Sequence, residues 1–258
     1  MNEKNKRKIL VVDDEITVCK SICQAIVTEE YEVDLALSGE EALKKDGKKC
    51  YDLVISDLMM PGISGMDLLQ SLKAKRPEVS VIMVTGYPAI KTAVQSIKFG
   101  AFDYIPKPFT PAELRSLVFR AFKKIESEEK AEKEPVSPKM PSGLYYIIGH
   151  TWSWEKAKGL VTVGIVSDFL KPVGIITHLE LPQQNDSVTQ GERCAKITDA
   201  EKLTHRIWSP ATGIVVEVNE KLKEDFSLLR KDPYHDGWLF RIEPTNLEED
   251  LKSLIISK

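Results

Sequence analysis

The stretch Lys8-Ile9-Leu10-Val11-Val12-Asp13-Asp14 decides the fold of the first half of this 258-residue chain. Four consecutive aliphatic residues that end in two aspartates predict a short buried β-strand with polar groups at its carboxyl end. Similar segments follow at 31–37, 52–56, 79–84 and 102–105. Together with residues 8–12, they predict five strands.

Helical patterns fill the gaps between these strands. In the first gap Ile16, Cys19, Cys23 and Ile26 fall on one face of a predicted helix. Further helices are predicted at 40–45, 65–75, 89–99 and 111–125. Strands that alternate with helices indicate right-handed βαβ crossovers. We therefore expect a five-stranded, parallel, doubly wound α/β sheet with helices on both faces.

Five polar residues lie at or just beyond the carboxyl ends of four predicted strands. They are Asp13, Asp14, Asp57, Thr85 and Lys107. Open parallel sheets collect ligands beyond the carboxyl ends of their strands, where the βα loops converge. The sequence therefore predicts that these side chains share one pocket.

The motifs around this pocket give residues 1–126 a resemblance to the receiver domain of two-component response regulators, which has a flavodoxin-like fold. The motifs are Val11-Val12-Asp13-Asp14-Glu15, Ile55-Ser56-Asp57-Leu58-Met59-Met60-Pro61-Gly62, Met83-Val84-Thr85-Gly86 and Tyr104-Ile105-Pro106-Lys107-Pro108-Phe109. The receiver pattern asks for an acidic pair, a phosphoacceptor Asp, a Thr or Ser, and a Lys-Pro pair after successive strands. The chain satisfies each part of that pattern.

The resemblance implies that Asp57 accepts a phosphoryl group. An aspartate attacks a phosphoryl group only when the charge on both partners is neutralised, and a divalent cation and a lysine do this. Lys107 is expected to neutralise the phosphoryl oxygens, and Thr85 to donate a hydroxyl hydrogen bond to one of them. Catalysis is expected to be confined to this phosphoryl transfer and its hydrolysis.

The cation that the resemblance implies is Mg²⁺. Because Mg²⁺ prefers oxygen ligands and keeps several waters, Asp14, Asp57 and the backbone carbonyl of Met59 are its expected direct ligands. Asp13 is expected to act mostly through a water.

The resemblance also implies a switch and its partners. Thr85 is expected to move toward the phosphoryl group while the ring of Tyr104 turns inward behind it, and the Lys107-Pro108 peptide is expected to be cis. A sensor histidine kinase or phosphotransfer protein is the expected phosphodonor. A homodimer formed through the receiver is one expected assembly.

Composition favours a cytoplasmic protein of two domains. Hydrophobic residues make up 42% of the chain, enough for two cores, and the net charge of −3 indicates no strong bias toward one class of partner. The sequence contains neither a signal peptide nor an apolar run long enough for a membrane span. The spacing of its four cysteines and four histidines predicts no zinc site and no secretory disulfides.

The sequence pattern changes after the last predicted helix. Residues 127–142 are charged and then rich in proline, which predicts an extended, semi-rigid linker. Beyond it, short β segments are predicted at 145–148, 160–166, 174–181, 193–197, 213–218 and 238–242. No helix-turn-helix pattern and no basic stripe is present, so DNA binding is not expected.

Residues 143–258 are similar to the H-protein of the glycine cleavage system, a lipoyl-carrier fold of two small packed sheets. The motifs that carry this resemblance lie between Leu144 and Leu251. They are Gly149-His150-Thr151-Trp152, Val161-Thr162-Val163-Gly164-Ile165-Val166-Ser167-Asp168-Phe169, Leu179-Glu180-Leu181-Pro182, Gly191-Glu192, Ser209-Pro210-Ala211-Thr212-Gly213-Ile214-Val215-Val216-Glu217-Val218-Asn219 and Asp232-Pro233-Tyr234-His235-Asp236-Gly237-Trp238-Leu239-Phe240.

In that family one lysine at a β-hairpin tip carries lipoate. Counting back from Ile207-Trp208-Ser209-Pro210 places Lys202 at this position. The triplet before it is Asp199-Ala200-Glu201, where the family has a sequence like Glu-Ser-Val. Counting forward from Gly191 and Cys194 reaches Glu201 instead, which predicts one extra residue in the hairpin.

Three candidate functions can be compared with these patterns. The first is a phosphorylation-switched regulator whose H-protein-like half binds a protein partner. The second is a lipoyl carrier, modified on Lys202, whose docking to glycine-cleavage or redox enzymes is gated by phosphorylation. The third, a DNA-binding regulator, lacks a visible recognition element.

Overall fold

The computed structural model describes residues 6–86, 90–129, 138–156 and 159–258. Over these residues the chain folds into two compact units. The first unit contains a five-stranded parallel sheet in the order β2-β1-β3-β4-β5, with helices between the strands. This confirms the predicted doubly wound α/β fold.

The elements of the first unit lie close to their predicted positions. Its strands are β1 (Arg7–Val12), β2 (Tyr31–Ala36), β3 (Leu53–Asp57), β4 (Ser80–Thr85) and β5 (Asp103–Pro106). The helices that follow these strands along the chain are α1 (Ile16–Ile26), α2 (Gly39–Lys49), α3 (Gly65–Lys75), α4 (Ile90–Lys98) and α5 (Pro111–Glu129). Each strand end falls within one residue of the prediction, whereas α2 and α5 are longer. Ala89, the predicted start of the fourth helix, lies outside the described residues.

Strand β1 contains the aliphatic residues Ile9 to Val12 and lies between β2 and β3. These four residues are fully buried, as expected for a central strand covered on both faces. Val12 is in register with Ser56 of β3. The residues that follow these two, Asp13 and Asp57, are therefore brought to the same edge of the sheet.

Helix α1 buries a slightly different stripe from the one expected. Cys19, Ile22 and Ile26 are buried, and Cys23 is half-buried against the same core. Ile16 is 41% exposed, because it begins the helix directly after the exposed residues of the β1–α1 turn. All four cysteines of the chain lie in described ranges and are free thiols.

The second unit is mainly β, as predicted, and consists of two antiparallel sheets. Its strands are β6 (Tyr145–Tyr146), β7 (Thr151–Lys156), β8 (Leu160–Ile165), β9 (Ile176–Glu180), β10 (Ser187–Val188), β11 (Arg193–Asp199), β12 (Thr204–Trp208), β13 (Gly213–Val218), β14 (Trp238–Pro244) and β15 (Ile255–Ile256). Its short helices are α6 (Ser167–Leu170), α7 (Lys221–Glu224), α8 (Leu228–Lys231) and α9 (Leu247–Ser253). One sheet has the order β10-β13-β14-β8-β7-β6-β15 and the other β12-β11-β9.

Both sheets contribute to one core. Val163 and Phe240 of the larger sheet pack in the same buried cluster as Ile197 and Ile207 of the smaller one. Strands β7, β10, β12 and β15 were not predicted from the sequence. Strand β7 carries polar residues at alternate positions, β12 begins with three polar residues, and β10 and β15 have two residues each, so their patterns are weak.

The ring of Trp152 packs over Gly164 on the neighbouring strand. The two residues are register partners on β7 and β8, and a Cβ on Gly164 would lie 2.3 Å from the indole ring. The ring therefore covers the glycine, and its Nε1–H donates to the carbonyl of Pro233 at 3.1 Å. An aromatic side chain laid over a strand glycine restores the packing that the glycine lacks.

The chain between the two units is partly defined. Helix α5 continues to Glu129, and residues 130–137 of the predicted linker lie outside the described residues. From Pro138 onward the chain contacts the second unit, where the Ser257 hydroxyl donates to the Pro141 carbonyl at 2.6 Å and Met140 packs against the core. The last residues of the predicted linker are thus held on the second unit.

Within the described ranges, no helix combines the length and apolar character that a membrane span requires.

Candidate functional site

The predicted polar pocket forms at the carboxyl edge of the parallel sheet, and Lys107 lies at its centre. The Lys107 Nζ donates to Asp13 Oδ2 at 2.8 Å and to Asp57 Oδ1 at 2.7 Å. Asp13 is 1% exposed and Asp57 is 6% exposed. One ammonium group therefore bridges two buried carboxylates that come from neighbouring strands.

The electrostatics of the pocket favour a charged lysine. Burial alone lowers the pKa of Lys107, but its hydrogen bonds to Asp13 and Asp57 and the charges of these carboxylates outweigh burial and raise its pKa above the usual value. The cation thus stays charged at neutral pH, as a group that neutralises phosphoryl oxygens must.

Backbone contacts fix the Asp57 carboxylate from its other side. The Met59 amide donates to Asp57 Oδ2 at 2.6 Å.

Gly65, the first residue of α3, lies so close to β3 that an added Cβ would be 2.0 Å from the Asp57 carbonyl oxygen. Gly62 has a φ of +75°, the left-handed region that favours glycine. The conformation of the whole β3–α3 loop thus depends on its glycines.

The oxygen donors of this pocket fit Mg²⁺, although the predicted ligands are only partly gathered. Asp13 and Asp57 converge on Lys107 Nζ, Asp14 is exposed, and Met59 contacts Asp57 through its amide. In the described ranges no three His, Cys, Asp or Glu side chains group as a metal site. Mg²⁺ accepts two carboxylates as ligands when water molecules complete its coordination shell.

The predicted switch residues lie on adjacent strands. Thr85 ends β4 and is fully buried, and its carbonyl accepts the Lys107 amide at 2.7 Å. Tyr104 on β5 is 3% exposed, and its role in a switch remains a prediction. The Lys107–Pro108 peptide is cis, which confirms that expectation.

In the second unit, Lys202 is exposed at the tip of the β11–β12 hairpin. The Asp199 amide donates to the Leu203 carbonyl at 3.1 Å, and the Lys202 amide donates to the Asp199 carbonyl at 3.0 Å. Three residues, Ala200, Glu201 and Lys202, therefore form the loop. This is one of the common hairpin lengths.

The β11–β12 pairing is irregular at a point away from the tip. Pairing of β11 with β12 shifts between Arg193 and Ala195, which leaves Cys194 as a bulge. From Ala195 to Thr198 the register is regular up to the loop. Lys202 is the last residue of the three-residue loop, and an extra hairpin residue relative to the family remains a prediction.

A buried contact between a histidine and an aspartate beneath the tip was not predicted from the sequence. The Nε2 of His205 lies 2.9 Å from Asp199 Oδ2, and both side chains are fully buried. The signal was available, because His205 and Ile207 alternate along a strand and so point to the same, inward face. It was overlooked because β12 itself was not predicted.

Two family models match this chain. The response regulator receiver domain matches residues 9–119, and the glycine cleavage H-protein matches residues 144–258. The chain belongs to the glycine cleavage H-protein family through residues 144–258, and residues 9–119 match the receiver domain. It is a response-regulator receiver domain fused to an H-protein domain, as the resemblances predicted.

Relatives of each domain resemble one part of the chain. A probable glycine cleavage system H protein of Thermococcus kodakarensis is 38% identical over 117 residues, 45% of this chain and 86% of that protein. The transcriptional regulatory protein ResD of Bacillus subtilis is 38% identical over 114 residues, 44% of this chain and 47% of ResD. A solved receiver-domain structure from Clostridium thermocellum is 35% identical, covers 49% of this chain and 99% of that one, and has a TM-score of 0.45.

Proposed function

We propose that the receiver is phosphorylated on Asp57 in a Mg²⁺-dependent reaction, and that the H-protein domain transmits this state by binding a protein partner. The observation that carries the proposal is the Lys107 ammonium, which bridges the buried carboxylates of Asp13 and Asp57. Such a preorganised positive charge stabilises a phosphoryl group in transfer.

The proposed chemistry uses the groups of this pocket. An Asp57 carboxylate oxygen attacks phosphorus, the bond from phosphorus to the donor breaks, and the donor leaves with the electron pair. Lys107 neutralises the charge of one phosphoryl oxygen, and the Thr85 hydroxyl donates a hydrogen bond to another. Asp13, Asp14, Asp57 and the Met59 carbonyl would hold Mg²⁺, which supplies further charge neutralisation. Catalysis is confined to this transfer and its hydrolysis.

The proposed phosphodonor is a sensor histidine kinase or phosphotransfer protein. The output is proposed to be a protein contact because the described part of the H-protein domain consists of antiparallel sheets with helices of four to seven residues. Recognition of DNA by a helix-turn-helix needs two longer packed helices. Homodimerisation through the receiver remains a prediction.

Removal of Mg²⁺ tests the proposed reaction directly. The intact chain is incubated with a small phosphodonor, with Mg²⁺ or with excess chelator, and its mass is measured. We expect one phosphoryl adduct with Mg²⁺ and little without it, because the clustered carboxylates then lack their cation. Equal incorporation in both samples would contradict a Mg²⁺-dependent receiver.

A second candidate function, a lipoyl carrier gated by the receiver, is favoured by one observation. Lys202 is exposed at the tip of a regular three-residue hairpin loop, where a modifying enzyme has access to its amine. Mass spectrometry of peptides spanning residues 194–206, from protein made in a host with active lipoylation, tests this function. A lipoyl adduct on Lys202 is expected if the chain is a carrier. An unmodified Lys202 beside a fully lipoylated control H-protein favours the binding module.

A further inference from the structure

The backbone of Lys202 has an unusual conformation. Its φ is +61°, in the left-handed region that residues with a side chain rarely adopt. In a three-residue hairpin loop this position is commonly taken by glycine. A lysine there persists only where the surrounding contacts hold it, since the Cβ makes the conformation sterically unfavourable.

The Asp199 carboxylate supplies those contacts. Its Oδ1 accepts the Glu201 amide at 3.0 Å and the Leu203 amide at 2.9 Å. These two amides belong to the residues immediately before and after Lys202. A single carboxylate oxygen thus fixes the backbone on both sides of the lysine.

The other oxygen of Asp199 is held by His205. The Nε2 of His205 lies 2.9 Å from Asp199 Oδ2, and neither side chain is exposed. A buried carboxylate needs a hydrogen-bond partner for each oxygen, because an unsatisfied one carries its full desolvation cost. His205 therefore sets the orientation in which Asp199 reaches the two loop amides.

Neighbouring segments enclose this pair. The Ala200 amide donates to the Ile175 carbonyl at 2.8 Å, and a Cβ added at Gly174 would lie 3.5 Å from Asp199 Oδ2. The guanidinium of Arg230 in turn donates to the carbonyls of Val173 and Gly174. The tip is thus tied to the segment before β9 as well as to its own strands.

We infer that His205 is a positioning residue for Lys202, acting through Asp199 to hold the hairpin tip in one conformation. The inference rests on the proposed lipoyl-carrier function, in which an enzyme must recognise that tip. His205 itself is buried and touches no docking partner. Its effect is to present the Lys202 amine on a fixed loop.

The test compares three variants of the full chain. His205→Leu removes the donor to Asp199, His205→Gln retains an N–H donor, and His235→Leu breaks an exposed His–Asp pair of similar length, 2.8 Å to Asp232. Hydrogen exchange of the Glu201 and Leu203 amides and tryptic cleavage after Lys202 are measured for each. Lipoylation of Lys202 by a purified lipoylating enzyme is the third readout.

We expect His205→Leu to accelerate amide exchange at the tip and tryptic cleavage by about tenfold or more, and to slow lipoylation by a similar factor. His205→Gln should restore much of each, and His235→Leu should leave the tip unchanged. Exchange at Ile197 and Ile207 should stay slow in a folded variant. A folded His205→Leu with an unchanged tip would overturn the inference.

Two further outcomes have defined interpretations. If His205→Leu does not fold, Asp199→Ala replaces it, and tip exchange no faster than in His205→Gln would overturn the inference. If wild-type Lys202 is not lipoylated, the carrier function fails, while amide exchange and proteolysis still decide whether His205 positions the tip.

Discussion

Asp57→Asn is expected to abolish phosphoryl incorporation into the chain. An amide is a far weaker nucleophile than a carboxylate, and it also removes one of the two negative partners of Lys107. The intact mass after incubation with Mg²⁺ and a small phosphodonor should gain one phosphoryl group in the wild type and none in the variant. Equal incorporation in both would overturn the assignment of Asp57.

Asp52 offers a matched control, because it lies at the opposite end of β3 from Asp57. Asp52 precedes β3, and its carboxylate accepts the Lys8 amide at 2.7 Å, away from the carboxyl edge of the sheet. Asp52→Asn makes the same chemical change but leaves the pocket intact. It is expected to incorporate the phosphoryl group at the wild-type rate.

Gly65→Ala is expected to disable the receiver without touching a functional group. The new Cβ would lie 2.0 Å from the Asp57 carbonyl oxygen and 2.9 Å from the Leu58 Cα, both backbone atoms that cannot rotate away. Either α3 or the end of β3 must shift. We expect the free energy of unfolding of the receiver to fall by about 3 kcal/mol and phosphorylation of Asp57 to slow by about 100-fold.

The measurement must separate the two domains. All four tryptophans, at positions 152, 154, 208 and 238, belong to the H-protein domain, so their fluorescence reports on that domain alone. Hydrogen exchange of the Ile55 amide reports on β3 of the receiver. In Gly65→Ala this exchange should accelerate while tryptophan fluorescence unfolding stays unchanged.

Gly47→Ala provides the matched glycine control. Gly47 lies within α2, and an added Cβ there meets no atom within 4 Å. The change should stabilise the receiver by about 0.5–1 kcal/mol, because alanine loses less backbone entropy than glycine in a helix. Wild-type phosphorylation is expected. If both glycine variants behaved alike, close packing at Gly65 would not be the cause.

The receiver pocket could be predicted almost completely from the sequence. Asp13, Asp57 and Thr85 each end or follow a strong aliphatic strand, and Lys107 follows the shorter strand β5. Parallel strands bring their carboxyl ends to one edge whatever the details of packing. The H-protein domain was less predictable, because β7 and β12 carry polar residues in place of an aliphatic run.

The sequence by itself determined the two folds, the pocket that contains Asp57, and the position of Lys202 in the chain. These depend on local patterns: aliphatic runs, turn residues and the spacing of motifs. Only the tertiary structure decided that Lys107 bridges Asp13 and Asp57, that the hairpin irregularity lies at Cys194, and that His205 holds Asp199 beneath Lys202. The physical reason is that hydrogen bonds between side chains, and the register of paired strands, depend on distances in space that sequence spacing alone does not fix.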